Sequence, residues 1–321
     1  MLMPILALVL GIVFLAISAD KFVQGAAVGA GRLGIPPILV GMLVIGFGSS
    51  MPEFVVSVTA ATDDNPGLAL GNALGSNISN IALILGISAL LKPIRVQSTV
   101  LRRELPILVF VTIVCTLLLG SDGYLSRADG QILIGLFIVV MSWSIYTGLT
   151  EKTDEFGLGV EENFDEPLSN LLCLVYLVGG LGVLVISSQT MVWGGVALAK
   201  IMGISDLIIG LTIIALGTSL PELAASIAAL KRNEHDLALG NIIGSNLFNT
   251  TIVIGVAGVI SPTAIEPEMI SRDIPILIAF TLLLFVFCYS FTGNESRINR
   301  AEAIALLVCY VAYNLLLLSY M

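Results

Sequence analysis

Apolar runs of about 20 residues recur along the whole chain and alternate with short polar stretches. A helix that crosses a bilayer needs about 20 predominantly apolar residues, so each run predicts one transmembrane helix. The predicted spans are 2–19, 35–61, 68–91, 105–120, 131–149, 169–187, 204–230, 237–260, 274–290 and 301–320. The first span is expected to continue as an amphipathic helix through GAAVGAG, and residues 190–202 should do the same after the sixth. The pattern predicts an all-α polytopic membrane protein with ten transmembrane helices.

Composition supports this class and excludes several others. Of the 321 residues, 57% are hydrophobic and only 12% are charged, whereas a soluble domain carries about twice that charged fraction. The formal net charge of −9 disfavours nucleic acid as a partner. The cysteines stand singly and His235 is the one histidine, so a metal centre built on histidine and cysteine is not expected. We expect no cofactor, no obligatory protein partner and no enzymatic activity.

The basic residues sort by side of the membrane. Loops with odd numbers, counted along the chain, hold Lys21, Arg32, Lys92, Arg95, Arg102, Arg103, Lys152, Lys231, Arg232, Arg297 and Arg300. Loops with even numbers hold Arg127, Lys200 and Arg272. Because cytoplasmic loops carry the excess of Lys and Arg, the odd loops are predicted to be cytoplasmic and both termini extracytoplasmic. The expected location is the cell (inner) membrane.

The longest polar segment lies in the middle of the chain. EKTDEFGLGVEENFDEP, residues 151–167, carries seven acidic residues against one lysine, and their spacing differs from that of an EF-hand loop. A solvated cytoplasmic linker is the favoured interpretation, and a regulatory cation site is the alternative. The predicted organisation is a first repeat at 1–150, an acidic linker at 151–168 and a second repeat at 169–321.

The chain contains an internal duplication. The repeated motifs are GSSMPE (48–53) with GTSLPE (217–222), and LALGNALGSNISN (68–80) with LALGNIIGSNLFN (237–249). Both pairs are offset by 169 residues, and 25 of 75 ungapped positions from Gly34 and Gly203 onwards are identical. Each half holds five spans, an odd number, so the second copy enters the membrane from the opposite side. Two inverted five-helix repeats are the architecture of secondary transporters, with the substrate site near the midplane.

Each copy of the first motif places a carboxylate inside an apolar span. A charge in the middle of a membrane costs several kcal/mol and therefore usually marks an ion or substrate path. Glu53 and Glu222 are repeat mates and the only ionisable residues deep within the predicted spans. The alternative is a protonated glutamate that donates one hydrogen bond between helices.

A proline precedes each of these glutamates. Pro52 and Pro221 lack an N–H, so carbonyls one turn earlier lose their helical partners. Irregular backbone at membrane depth is tolerated where it lines a cavity. The carbonyls of residues 46–49 and 215–218 are therefore expected to become oxygen ligands.

Further oxygen donors follow at helical spacing. Ser49 and Thr218 stand four residues before the two glutamates, on the same helical face. The remaining hydroxyls and amides are Ser50, Ser219, Ser76, Asn80, Ser245 and Asn249. Carboxylate, hydroxyl, amide and carbonyl oxygens suit Ca²⁺, which takes about six to eight oxygens, and suit transition metals poorly. Na⁺ could compete for the same ligands, because two negative charges match one Ca²⁺ or two Na⁺.

Other residues in the motifs are expected to pack helices together. Asn77 and Asn246 point away from the proposed ligands and should form hydrogen bonds between helices. The small residues that should allow helices to approach closely are Gly71, Gly75, Gly240 and Gly244.

The paired motifs resemble the α-1 and α-2 repeats of the sodium/calcium exchangers in the calcium/cation antiporter superfamily. The resemblance covers all ten spans and is to a prokaryotic member. It implies a ten-helix inverted-repeat fold with cation sites in spans 2, 3, 7 and 8. The ligands that it implies are Glu53, Glu222, Ser49, Ser50, Thr218, Ser219, Ser76, Ser245, Asn80 and Asn249, with the carbonyls of Gly46 and Ala215.

The sequence departs from the family pattern at two places. GSSMPE replaces the usual GTSLPE and keeps the hydroxyl, whereas Asn249 stands where many exchangers carry aspartate and removes a potential negative charge. The favoured function is a secondary antiporter in the lipid bilayer that exchanges Ca²⁺ for Na⁺ by alternating access. A proton-coupled Ca²⁺ antiporter that uses the same glutamates is the alternative. A channel or a membrane scaffold is a third possibility, which the inverted halves and duplicated carboxylates disfavour.

Overall fold

The structure, a computed structural model, describes residues 2–97, 100–150, 168–202, 215–289 and 296–319. Over these ranges the chain is helical apart from short connections and four two-residue strands. The predicted linker and residues 204–214 of the predicted seventh span lie outside the described residues.

The helices follow the predicted spans closely. They are α1 (Leu2–Leu33), α2 (Pro37–Ser49), α3 (Met51–Thr62), α4 (Pro66–Leu91), α5 (Val100–Ser121), α6 (Arg127–Thr150), α7 (Asn170–Ile201), α8 (Ala215–Thr218), α9 (Leu220–Lys231), α10 (His235–Ile260), α11 (Met269–Cys288) and α12 (Arg300–Ser319). The strands are β1 (Ile94–Arg95), β2 (Tyr124–Leu125), β3 (Thr263–Ala264) and β4 (Arg297–Ile298).

Eight of the described helices are long and apolar enough to cross a membrane, and the bent pair α2 and α3 would make nine. The predicted seventh span is described only from Ala215 onwards, as α8 and α9. The fold class is therefore confirmed as an all-helical membrane protein, while the count of ten helices in two inverted repeats stays a prediction.

Helices α1 and α7 have 32 residues each, which is longer than a bilayer requires. The predicted continuation of the first span is part of α1, and that of the sixth span is part of α7, without a break in either helix. The two helices pack closely, because a Cβ added at Gly25 would lie 2.8 Å from the backbone nitrogen of Leu177. A Cβ added at Gly180 would lie at the same distance from the nitrogen of Phe22. Small residues at these positions let the two backbones meet.

Within the described ranges, five helical segments contain a π-helical turn, which adds one residue to the turn and often occurs at functional sites. One lies in α2 at Gly41–Gly46. The others form two pairs at the repeat offset, Asn80–Ile84 with Asn249–Val253 and Val100–Glu104 with Met269–Asp273. The internal repeat is therefore visible in irregularities of the backbone as well as in the sequence.

The four strands form two antiparallel pairs, β1 with β4 and β2 with β3. In the first pair Ile94 lies opposite Ile298, and both side chains are fully buried. The hydrophobic pattern did not predict these strands, because two residues are too few to show an alternation.

The chain forms two compact units. Unit 1 comprises Met1–Pro52 and Trp143–Asn241, and unit 2 comprises Glu53–Ser142 and Ile242–Met321. Each unit therefore combines segments from both halves of the sequence.

Candidate cation site

Both predicted helix breaks are present at equivalent positions. Helices α2 and α3 meet at Ser50 with a bend of 47°, and Ser50 has φ −83° and ψ 8°. Helices α8 and α9 meet at Ser219, which has φ −88° and ψ 5°. Pro52 and Pro221 then occupy the second position of the new helix, where a missing N–H removes no hydrogen bond. The proline thus favours a new helix at this point, and the glutamate follows it in the first turn.

The carbonyls before the breaks already have hydrogen-bond donors. The Ser188 hydroxyl donates to the carbonyl of Gly217 at 2.7 Å. The Ser50 backbone N–H donates to the carbonyl of Gly46 at 3.2 Å. The Ser49 hydroxyl lies 3.3 Å from the same oxygen, so a cation at the Gly46 carbonyl would have to share it with these donors. Ala215 is the first described residue of α8.

In unit 1, Glu222 is the centre of the polar cluster. Its side chain is 1% exposed, and its Oε1 accepts a hydrogen bond from the Ser50 hydroxyl at 2.8 Å. Its Oε2 is buried with no hydrogen-bond partner in the part of the chain that the structure describes. Thr218 and Ser219, one turn earlier, are also buried in this unit.

Ser49 belongs to the same cluster. Its hydroxyl is fully buried and lies 3.1 Å from Oδ1 of Asn241 and 3.3 Å from the carbonyl oxygen of Gly46. Unit 1 therefore brings six of the predicted ligands into buried positions, namely Gly46, Ser49, Ser50, Thr218, Ser219 and Glu222.

Unit 2 contains five further predicted ligands, and all are buried: Glu53, Ser76, Asn80, Ser245 and Asn249. Asn80 and Asn249 each begin a π-helical turn. Oδ1 of Asn80 and both polar side-chain atoms of Asn249 have no hydrogen-bond partner within the described ranges. Amide groups without partners are costly inside a protein, so these two side chains are strong candidates for contact with a ligand.

The described residues contain no group of three or more His, Cys, Asp or Glu side chains that could hold a metal ion. A cation bound in either unit would therefore rest on neutral hydroxyl, amide or carbonyl oxygens besides the glutamate of that unit. This ligand chemistry is the one that hard cations prefer.

Asn72 and Asn241 were not predicted from the sequence to be among the polar residues of the candidate site. Asn72 donates from Nδ2 to the backbone carbonyl of Glu53 at 3.0 Å and to the Ser57 hydroxyl at 2.9 Å. Asn241 donates in the same way to the carbonyl of Glu222 at 2.9 Å and to the Ser226 hydroxyl at 2.8 Å. The signal was present in the sequence, because both asparagines lie in the repeated LALGN.

Glu104 and Asp273 are further buried carboxylates that sequence reasoning missed. They are repeat mates in matching π-helical turns, 1% and 8% exposed. Each forms an ion pair with the arginine before it, Arg103 at 2.8 Å and Arg272 at 2.9 Å. Glu104 and Asp273 each lie one residue before a predicted span, so the expectation that Glu53 and Glu222 are the only ionisable residues deep within the spans stays a prediction. Helices α5 and α11 begin five residues earlier than the predicted spans.

The packing predictions are confirmed in part. Asn77 in α4 donates to the Thr250 hydroxyl in α10 at 2.8 Å, so it joins two helices as expected. Asn246 instead donates to Ile242 in its own helix at 2.7 Å. Gly240 allows close approach, whereas a Cβ added at Gly71 or Gly75 would meet no atom of the described residues within 4 Å.

A profile of the family described as sodium/calcium exchanger protein matches residues 3–146 and 172–319, which together contain every predicted ligand. The chain belongs to this family. Among curated relatives, this exchanger-family chain is 44% identical to the putative antiporter CaxA of Alkalimonas amylolytica, over 99% of its own length and 100% of the relative's. It is 29% identical to the sodium/calcium exchanger MaX1 of Methanosarcina acetivorans, over 96% of both chains.

Solved structures agree with this assignment. The exchanger-family chain matches the sodium-calcium exchanger NCX_Mj, soaked with 2.5 mM Na⁺ and 0.1 mM Ca²⁺, with a TM-score of 0.82. The sequences are 30% identical, and the match covers 96% of each chain. The fold is therefore that of a sodium-calcium exchanger.

Proposed function

We propose that the protein is a secondary antiporter that exchanges Ca²⁺ for Na⁺ across the cell (inner) membrane by alternating access. The observation that carries the proposal is the buried carboxylate of Glu222, with Ser50 on Oε1 and no hydrogen-bond partner on Oε2 among the described residues. A buried carboxylate without a compensating charge is strongly destabilising. A cation at Oε2 would supply that compensation.

The structural alternative, a protonated glutamate that links helices, is less consistent with this geometry. A protonated carboxyl group becomes a donor and needs an acceptor for its proton. Oε2 of Glu222 has no such acceptor in the described part of the chain. The unpartnered amide of Asn249 and the unpartnered Oδ1 of Asn80 support ligand binding in the same way.

Calcium is the proposed divalent substrate. The proposed ligands, Glu53 and Glu222 with hydroxyl, amide and carbonyl oxygens, match the oxygen preference of Ca²⁺. The names of the relatives support Na⁺ as the exchanged ion, since one is a sodium/calcium exchanger and NCX_Mj was soaked with Na⁺ and Ca²⁺. Ca²⁺ and Na⁺ are thus substrates and not resident cofactors.

We also propose that the ten helices form two inverted five-helix repeats with both termini extracytoplasmic. The two strand pairs support this arrangement. β1 and β4 lie in loops that the Lys/Arg distribution assigns to the cytoplasm, whereas β2 and β3 lie in loops assigned to the other side. Strands can pair only on the same side of a membrane, so the pairing agrees with the predicted topology. The relation to the inner membrane protein YrbG of Escherichia coli, at 39% identity, supports the location.

The direct test is counter-transport of labelled Ca²⁺ in proteoliposomes, driven by unlabelled Ca²⁺ on the opposite side. Glu222→Gln and Glu53→Gln should each abolish it, because the amide keeps the shape and removes the charge. Glu268→Gln, which changes an exposed carboxylate, is the matched control and should leave the flux intact. Robust counter-transport by Glu222→Gln would refute the assignment of this residue as an essential ligand.

A further inference from the structure

Asn241 forms hydrogen bonds with both Ser49 in α2 and the backbone of Glu222 in α9, in the polar cluster of unit 1. Its two Nδ2 protons are used by the carbonyl of Glu222 at 2.9 Å and the Ser226 hydroxyl at 2.8 Å. Its Oδ1 lies 3.1 Å from the Ser49 hydroxyl. The side chain is fully buried, so these contacts replace water for all of its polar atoms.

The contacts fix which way the Asn241 amide faces. A backbone carbonyl can only accept, so the atom next to the Glu222 carbonyl must be the donor Nδ2. Oδ1 then has to face Ser49 and can only accept. The Ser49 hydroxyl must therefore be the donor in that hydrogen bond.

The donation determines what Ser49 can offer to a cation. A hydroxyl has one proton and two lone pairs. The acceptors nearest to the Ser49 proton are Oδ1 of Asn241 at 3.1 Å and the Gly46 carbonyl at 3.3 Å, and the Glu222 carboxylate also contacts this hydroxyl. When Asn241 takes the proton, both lone pairs of Ser49 can coordinate a cation, and the Gly46 carbonyl is relieved of one hydrogen bond. Two predicted ligands are thus prepared by one amide oxygen.

We propose that Asn241 is a positioning residue for cation binding. It orients the Ser49 hydroxyl as an oxygen ligand and holds the backbone of Glu222. The inference rests on the proposed function, because it assigns Ser49 and Glu222 to the Ca²⁺ ligands. Without Asn241, the Ser49 proton turns to the Gly46 carbonyl and competes there with the cation.

Asn72 provides a matched control within the same chain. It is the repeat mate of Asn241 and donates the equivalent pair of hydrogen bonds, to the carbonyl of Glu53 and the Ser57 hydroxyl. Asn72 lies in unit 2, whereas Ser49 lies in unit 1. Loss of Asn72 removes the same two donor bonds without touching the proton acceptor of Ser49.

The test is a double-mutant cycle read by direct Ca²⁺ binding to the purified full-length protein, measured by calorimetry in sodium-free buffer. Asn241→Leu and Ser49→Ala should each weaken Ca²⁺ binding by about tenfold. The double variant should be weaker than Ser49→Ala by no more than the factor that Asn72→Leu alone causes, because the part of the Asn241 effect that acts through Ser49 is already absent. Asn72→Leu combined with Ser49→Ala should instead multiply the two single effects. Size-exclusion chromatography identifies misfolded variants, and Asn241→Ala gives a second version of the cycle if the leucine variant is not monodisperse.

The outcomes separate the inference from the proposed function. A wild-type protein that binds no Ca²⁺ overturns the proposed function and the inference with it. If the wild type binds Ca²⁺ and the effects of Asn241→Leu and Ser49→Ala multiply to about a hundredfold, the inference alone is refuted and Asn241 is only structural. The assignment is supported if the effects of Asn241→Leu and Ser49→Ala are coupled while those of Asn72→Leu and Ser49→Ala are independent.

Discussion

Substitution of Gly240 by alanine tests the helix crossing on which the cluster in unit 1 depends. An added Cβ would stand 2.5 Å from the carbonyl oxygen of Ile38 and 2.8 Å from Cα of Gly41, both of which are backbone atoms of α2. Non-bonded carbon atoms prefer about 3.5–4.0 Å, so α2 and α10 would have to separate by about 1 Å. Neither contact can be relieved by rotating a side chain.

The separation has a cost in stability and an effect on binding. Overpacking of this kind costs about 1–3 kcal/mol, against about 1 kcal/mol gained because alanine favours the helix more than glycine does. We expect a net loss of up to about 2 kcal/mol, which lowers Tm by about 1–3 °C in a chain of this length. The hydrogen bond from Ser49 to Asn241, at 3.1 Å, also joins α2 to α10 and would lengthen beyond hydrogen-bonding range. Ca²⁺ binding should therefore weaken as well.

Thermal unfolding of the purified protein in detergent, with and without Ca²⁺, measures both effects. The control is Gly135→Ala, since a Cβ at this position meets no described atom within 4 Å. This control should keep or raise Tm, because only the helix propensity changes. A Gly240→Ala protein with the Tm and the Ca²⁺ response of the wild type would refute the close contact between α2 and α10.

Two further predictions concern topology and charge. Thr62 and Lys231 are exposed repeat mates at the ends of α3 and α9. In a cysteine-free background, Thr62→Cys should react with an impermeant maleimide added from outside. Lys231→Cys should react only with reagent on the opposite side of the membrane. Labelling of both from one side would contradict the inverted repeats. Asn249→Asp should make Ca²⁺ flux more dependent on pH or change the charge moved per cycle, and Asn80→Asp should have a related effect. Flux that has the same pH and voltage dependence in both variants and the wild type would remove Asn249 from the proposed ligands.

The helices and their breaks could be predicted because the length of an apolar run and the effect of a proline are both local properties of the sequence. The apolar runs located the helices, and Pro52 and Pro221 located the two breaks within a residue or two. The predicted spans were too short at α5 and α11, where Arg103 and Arg272 lie in the first turn of the helix despite their charge. Each arginine is neutralised by the acidic residue that follows it, and this compensation is not visible in a hydropathy pattern.

The candidate ligands were predicted because their oxygen-bearing side chains suit hard cations, but their hydrogen-bond partners were not predicted. The buried Glu222 accepts a hydrogen bond from Ser50, which lies 172 positions away in the sequence. No local sequence pattern encodes such a contact. Asn241 was missed because an asparagine in an apolar helix could equally link helices, as Asn77 does. Its role depends on three simultaneous contacts that only the three-dimensional structure shows.

Ca²⁺ uptake into proteoliposomes under imposed ion gradients tests the proposed exchange most directly. Vesicles loaded with Na⁺ and diluted into sodium-free medium with labelled Ca²⁺ should accumulate Ca²⁺, and Glu222→Gln vesicles should not. Vesicles that carry a K⁺ gradient or a pH gradient without Na⁺ should show only the background of empty liposomes. Uptake driven by the pH gradient and indifferent to Na⁺ would contradict sodium coupling and establish the proton-coupled antiporter instead.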